Sequence, residues 1–134
     1  MESLASKARN HFLLGSMAES MGMVSEAASN FFEALFAADD AKIFEIVMDR
    51  PKDHAERFTI LKARLPALYD ITDRLFTIQK RSLLKDLEMP EVRIVKNRVM
   101  EAFGHAGIPV PGEEEIKKKV EELSRIKPSP FSKS

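Results

Sequence analysis

From Val24 to Met48 the chain presents a broad apolar surface at helical spacing. Ala28, Phe31, Leu35 and Ala38 form one stripe, and Phe32, Phe36, Ile43, Ile46 and Val47 widen it. A helix this apolar has to be central, with more than one neighbour around it. Asp39 and Asp40 interrupt the surface. Pro51 ends it, because the residue before a proline is pushed out of the α region. Glu26 suits the positive end of the helix dipole, with Ser20 or Ser25 as a candidate cap.

The other segments supply the neighbours. Ser3–Met21 reads as a first helix, with Leu4, Ala8, His11, Leu14 and Ala18 recurring at three- to four-residue steps. Ala8, Gly15 and Ala18 are small enough to let another helix approach closely. Gly22 supplies the turn that follows. A third helix starts at Asp53-x-x-Glu56, which fits a capping box, and carries Phe58, Leu61 and Leu65. Pro66 opens a fourth, reaching about Leu87, with Leu68, Ile71, Leu75 and Ile78 on one face. Pro90–Phe103 is a fifth, striped by Val92, Val95, Val99 and Ala102, with Gly104 and Gly107 as C-cap positions. Glu113–Ile126 is a sixth, with three Glu–Lys pairs at i,i+4 starting from Glu113, Glu114 and Glu115. It packs on the bundle or on a partner. Lys127–Ser134 has the composition of a tail. No strand pattern, phosphate-binding loop or internal repeat is present. The expected fold class is all-α: a helical bundle over residues 1–110, an additional C-terminal helix over 111–126, and a tail over 127–134.

Composition narrows the function. The chain has 134 residues, 31% of them charged, and no cysteine. That excludes disulfides and thiolate metal sites and leans towards the cytoplasm. Its three histidines are scattered, so no metal site or other cofactor is expected. No apolar run reaches the length of a membrane span. Net charge is zero, but residues 1–50 carry four basic and eight acidic side chains, against seventeen and thirteen beyond. An anionic partner is therefore expected to meet the second half.

The stretch Asp49–Phe58 carries the candidate chemistry. His54 falls at the first position of the third helix, where the dipole favours a neutral ring able to act as a base. Free backbone N–H groups there attract phosphate. Arg50 lies just upstream and Arg57 one turn on, and either guanidinium suits a phosphoryl transition state. Together they fit metal-independent RNA cleavage, with His54 acting on the 2′-hydroxyl proton and Arg50 or Arg57 holding the phosphate. The plainer reading is a solvated turn, with Asp53 and Glu56 as caps and Arg50 paired to Asp49.

Asp39 and Asp40 either orient His54 or Arg57, bind a cation, or pair with Lys42. His11 reads as a satisfied core or interface histidine, and His105 as a helix-end cation. Arg74, Lys80, Arg81, Lys85, Arg93, Lys96 and Arg98 form a basic run, fit either to guide RNA or to stand as a solvated face.

The helix Ala8–Phe12, the segment Glu26–Asp40 with its Phe-Phe-Glu-Ala-Leu-Phe-Ala-Ala-Asp-Asp, and Pro51-Lys-Asp-His-Ala-Glu-Arg-Phe58 together resemble the HEPN superfamily. The resemblance is particularly to small archaeal stand-alone members. The similarity covers about residues 4–105. It implies an antiparallel four- to five-helix bundle, commonly a homodimer, and RNA or a nucleotide as ligand. Many members are metal-independent endoribonucleases in toxin–antitoxin or defence systems; others bind RNA, nucleotides or proteins without catalysis. Their motif is an arginine, four to six residues, then a histidine, paired across the dimer. His54 matches the histidine and Arg50 the arginine, with three residues between them. Arg57 and Asp40 join them as candidate site residues. Some members are modified by a nucleotidyltransferase partner on a tyrosine two residues after the histidine; Glu56 occupies that position here. A non-enzymatic helical dimerisation module is the alternative function.

Overall fold

The computed structural model describes residues 3–126, so the predicted tail lies outside the described residues. They form six helices: α1 (Leu4–Ser20), α2 (Val24–Val47), α3 (His54–Arg64), α4 (Pro66–Ser82), α5 (Met89–Ala106) and α6 (Glu113–Ile126). Among the described residues there is no strand. Among the described residues no helix is long and apolar enough to cross a membrane.

α2 is the axis. α1 and α5 pack most heavily on it, and α3 and α4 also touch it. Directions follow from side-chain partners. Phe12 meets Phe31 edge-on at 5.4 Å, and Lys7 shares a cleft with Phe36, so α1 runs antiparallel to α2. Thr72 meets Asp39, while Ser82 and Leu83 stand beside Val24 and Ala28, so α4 is antiparallel too. Arg93 reaches Glu19 and Phe103 meets Phe12, so α5 opposes α1 and runs with α2. The core is the shared apolar set of these four helices, with Phe12, Phe31, Leu35, Ile43, Leu75, Val95, Val99 and Phe103 almost wholly buried. Each such side chain stabilises the fold by about 1.5–3 kcal/mol.

The α1–α2 contact depends on a missing side chain. A Cβ on Gly15 would sit 2.7 Å from Cε1 of Phe31, whose ring is fully buried and wedged against Phe12. Ala8 and Ala18 lie buried along the same helix.

Several ends differ from expectation. α4 stops at Ser82 rather than Leu87, closing with bonds from Leu83 N–H to Lys80 O (3.2 Å) and Leu84 N–H to Arg81 O (2.9 Å). The chain must turn there, because Leu87 has to fold back into the core, which leaves Leu83 and Leu84 in solvent. α5 continues through Gly104 to Ala106, and Gly107 is its left-handed cap at φ +73°. Neither Ser20 nor Ser25 caps α2. Met23 takes the cap position without a side-chain bond, and Ser20 donates instead to the Ser16 carbonyl. α6 packs on α1: Arg9 donates to the Pro109 carbonyl (2.9 Å) and to both Glu115 oxygens (2.7 and 2.9 Å). Among the described residues none of the predicted Glu–Lys pairs of α6 forms; Glu115 is taken by Arg9.

Asp39 ties α2 to α4. It is fully buried, its Oδ2 accepts from the Thr72 hydroxyl at 2.7 Å, and its Oδ1 has no partner among the described residues. Burial pushes its carboxyl well above the ordinary aspartate range. The Thr72 hydrogen bond and Arg57 work against the rise, and Asp40 adds to it.

Two outcomes are expected. Gly15→Ala should lower stability by about 1–3 kcal/mol in urea melts, since a packed ring has to move; an unchanged midpoint would show that the helices slide apart freely. Asp39 has a folded pKa above its unfolded one, so its contribution is complete below the unfolded value and is lost as pH rises through the folded value. Wild type should therefore gain stability over Asp39→Asn as pH falls from neutral towards about 4. Melts of both proteins at stepped pH measure this, and parallel stability curves would remove Asp39 as a source of pH dependence.

Candidate functional site

The chain leaves α2 at Met48, which holds the left-handed conformation at φ 59° and donates its N–H to the Phe44 carbonyl. Asp49 Oδ1 then accepts the backbone N–H of Arg50 at 2.8 Å. That is the expected Asp49–Arg50 contact, but made by the main chain. The Arg50 guanidinium has no ion pair among the described residues.

α3 starts as the capping pattern predicts, with one change. Asp53 Oδ1 accepts from the Glu56 N–H at 2.9 Å. The return bond runs from Lys52 N–H to Glu56 Oε1 (3.3 Å), one residue earlier than a capping box has it. His54 is the first helical residue.

Three side chains then form a relay. Arg57 makes a two-pronged pair with Asp40: Nε to Oδ1 at 2.6 Å and Nη2 to Oδ2 at 2.9 Å. Both side chains are about nine-tenths covered, at 11% and 12% exposure. Geometry of this kind is among the stronger hydrogen-bonded pairings a protein makes. Removing either partner leaves a charge stranded in the bundle, which typically costs about 3–5 kcal/mol. Burial alone lowers the Arg57 guanidinium, but the Asp40 carboxylate outweighs it, so its pKa rises above the ordinary value. The remaining prong, Nη1, lies 2.6 Å from His54 Nδ1. Guanidinium only donates, so Nδ1 accepts and the ring hydrogen sits on Nε2.

Apolar rings complete the seat. The Arg57 guanidinium carbon lies 5.0 Å from the Phe36 ring centre. His54 stands 4.8 Å from Phe36 and 5.1 Å from Phe76. Even so, His54 is exposed. With Arg50, Arg57 and Asp40 it lines an open cleft of about 410 Å³ between α1, α2 and α3. All four sequence-predicted site residues thus come together, and the three-residue spacing brings Arg50 and His54 to the same cleft. Arg57, however, is committed to Asp40, which leaves Arg50 as the free guanidinium.

Lys7 lines the same cleft and was not visible as a site residue in the sequence. The usable signal was the α1–α2 register: with Phe12 opposite Phe31, five residues back on α1 meets five residues forward on α2. Glu33 and Asp53 also line the cleft, so its three cations (Lys7, Arg50 and Arg57) are matched by three carboxylates (Glu33, Asp40 and Asp53).

Other candidates fall outside. Asp39 faces Thr72, and Lys42 pairs with Glu45 at 3.4 Å rather than with either aspartate. His11 Nδ1 lies 3.1 Å from Asn30 Oδ1, a contact between α1 and α2. His105 is exposed in the last turn of α5. Four of the seven cations in the basic run share three carboxylates: Arg81 pairs with Glu91, Arg93 and Lys96 with Glu19, and Arg98 with Glu101. Among the described residues no three His, Asp or Glu side chains are placed to hold a metal ion. Comparison with protein-family models, with curated proteins and with solved structures finds no match.

Proposed function

We propose that this chain is an RNA-directed protein of HEPN type, and that its cleft holds a backbone phosphate of RNA. The observation that carries the reading is the convergence of Arg50, Lys7 and a fixed His54 on one open cleft at the start of α3. Among the described residues neither Arg50 nor Lys7 has an ion pair. His54 turns an Nε2–H donor to whatever occupies the cleft, because Arg57 holds its other nitrogen. Asp40 acts through Arg57 as a positioning residue.

One copy supports binding more directly than cutting. Transesterification needs a base for the 2′-hydroxyl and an acid for the departing 5′-oxygen. With Nδ1 taken by Arg57 and the hydrogen on Nε2, His54 donates a hydrogen bond to a phosphate oxygen but has no open nitrogen to act as a base and, as a neutral ring, no proton to give to the leaving oxygen. Cleavage by a homodimer therefore requires Arg57 to release Nδ1 in one copy, so that this His54 takes the 2′-hydroxyl proton, and a protonated His54 in the other copy to give a proton to the departing 5′-oxygen. Phe44, Val47 and Met48, exposed on the end of α2 just before Arg50, offer an apolar surface next to the cleft for that pairing. Metal-independent endoribonuclease activity in a toxin–antitoxin or defence setting is thus the dimer's version of the same proposal. A non-enzymatic interaction module is the second reading. Leu83 and Leu84, 83% and 90% exposed at the α4–α5 turn, favour it.

Binding of a labelled single-stranded RNA, in EDTA and across a salt series, tests the reading. Arg50→Ala is expected to weaken affinity about tenfold and to flatten the logarithmic salt slope by about 0.7. An unchanged affinity and slope would move the function to the interaction-module reading. Cleavage by wild type that disappears in His54→Ala would assign the nuclease activity.

A further inference from the structure

Along the seam of α3 and α4 runs a row of rings that begins in the cleft. His54 lies 5.1 Å from Phe76, Phe76 lies 5.1 Å from Phe58, and Phe58 meets Tyr69 edge-on at 6.1 Å. The core phenylalanines Phe12, Phe31 and Phe103 are fully buried, whereas all four of these rings reach solvent in part. Lysines mark the outer faces. Lys80 Nζ stands 5.1 Å over the Phe76 ring, and Lys62 Nζ stands 5.9 Å over Tyr69. Both lysines are exposed, and neither has an ion pair among the described residues.

Phe76 and Tyr69 are seven positions apart on α4. They therefore share a face and lie about 10 Å apart along its axis. Asp73, exposed between them on that face, is the opposing charge. An ammonium above an aromatic face occupies the position where a flat, electron-poor ring also fits. When a base stacks there, the flexible lysine can swing to the adjoining phosphate.

We propose that this row is a stacking platform for unpaired nucleobases. Phe76 takes the base next to the phosphate held in the cleft, Tyr69 takes one further along the strand, and Lys80 and Lys62 pair with the phosphates between. The proposal rests on the RNA reading above and adds to it a preference for single strands. Bases in a duplex have their faces covered by their own neighbours, and stacking on a protein ring selects for exposed bases of any identity.

The chain contains one tyrosine and no tryptophan, so its intrinsic emission reports on Tyr69 alone. The experiment titrates the full chain with a labelled oligouridylate, with the same strand annealed to its complement, and with an abasic strand of equal length. Polarisation gives affinity and tyrosine emission gives stacking. The single strand is expected to quench Tyr69 saturably and to bind about tenfold tighter than the other two. Tyr69→Leu preserves an apolar side chain on α4 and should lose most of that difference, with binding of the abasic strand unchanged. Lys80→Gln, which leaves the packed ring in place, should weaken all three strands alike. Equal affinity for single and abasic strands, with steady emission and Arg50 still required, would overturn the platform and leave the cleft reading standing. Absence of binding by every strand would overturn both.

Discussion

From Phe31 to Asp40, α2 turns nine of ten side chains into the bundle, with Glu33 alone facing water. Two of the nine are aspartates, and a carboxylate taken out of water has to be partnered or protonated. That requirement organises the rest of the molecule. Asp40 is partnered by Arg57, and this pair fixes where α3 lies against α2. Asp39 is partnered on one oxygen by Thr72, which sets α4. The second oxygen has no partner among the described residues, and burial pushes the carboxyl up. Two neighbouring acids thus meet the same cost in different ways, one by pairing and one by holding its proton more tightly.

The hierarchy among charges follows from burial. Arg81–Glu91 and Arg98–Glu101 are short contacts on exposed side chains, and such pairs contribute roughly 0–1 kcal/mol. Asp40–Arg57 is nearly covered and two-pronged, so it decides geometry, including the angle at which His54 meets the cleft. Arg57 looked like a phosphate ligand in sequence because arginines near a histidine commonly are. Its position three residues after His54 instead puts it on the face of α3 that meets Asp40. Arg50 and Lys7, the cleft's cations without an ion pair among the described residues, come from outside α3.

Much of the architecture was legible from periodicity. All six helices, the central place of α2, the small contact face of α1 and the Asp53 cap follow from spacing and residue size, which act locally. What was not legible depends on long-range closure. The end of α4 is set by Leu87 having to reach the core, not by any breaker at Leu83. Spacing alone pairs Glu115 with Lys119 on its own helix, but an arginine from α1 competes for it and wins with two bonds, while a third anchors the same arginine to the Pro109 carbonyl. In the cleft, the place of His54 at the start of α3 was legible from the Asp53 cap, with Arg50 just upstream of it. Lys7 was not, because its neighbours become known only when α1 and α2 are aligned.

The Arg9 clamp has a consequence for how the molecule comes apart. Its partners lie 100 and 106 positions along the chain, whereas α1 and α2 are joined by a three-residue turn and meet through local contacts. Contacts of long sequence separation form late, after the loops between them have closed. The clamp therefore belongs on the native side of the folding barrier. Interactions absent from the transition state govern the rate of unfolding and leave the rate of folding nearly untouched. Loss of Arg9 is therefore expected to show in the rate at which α6 leaves α1 more than in the rate of folding.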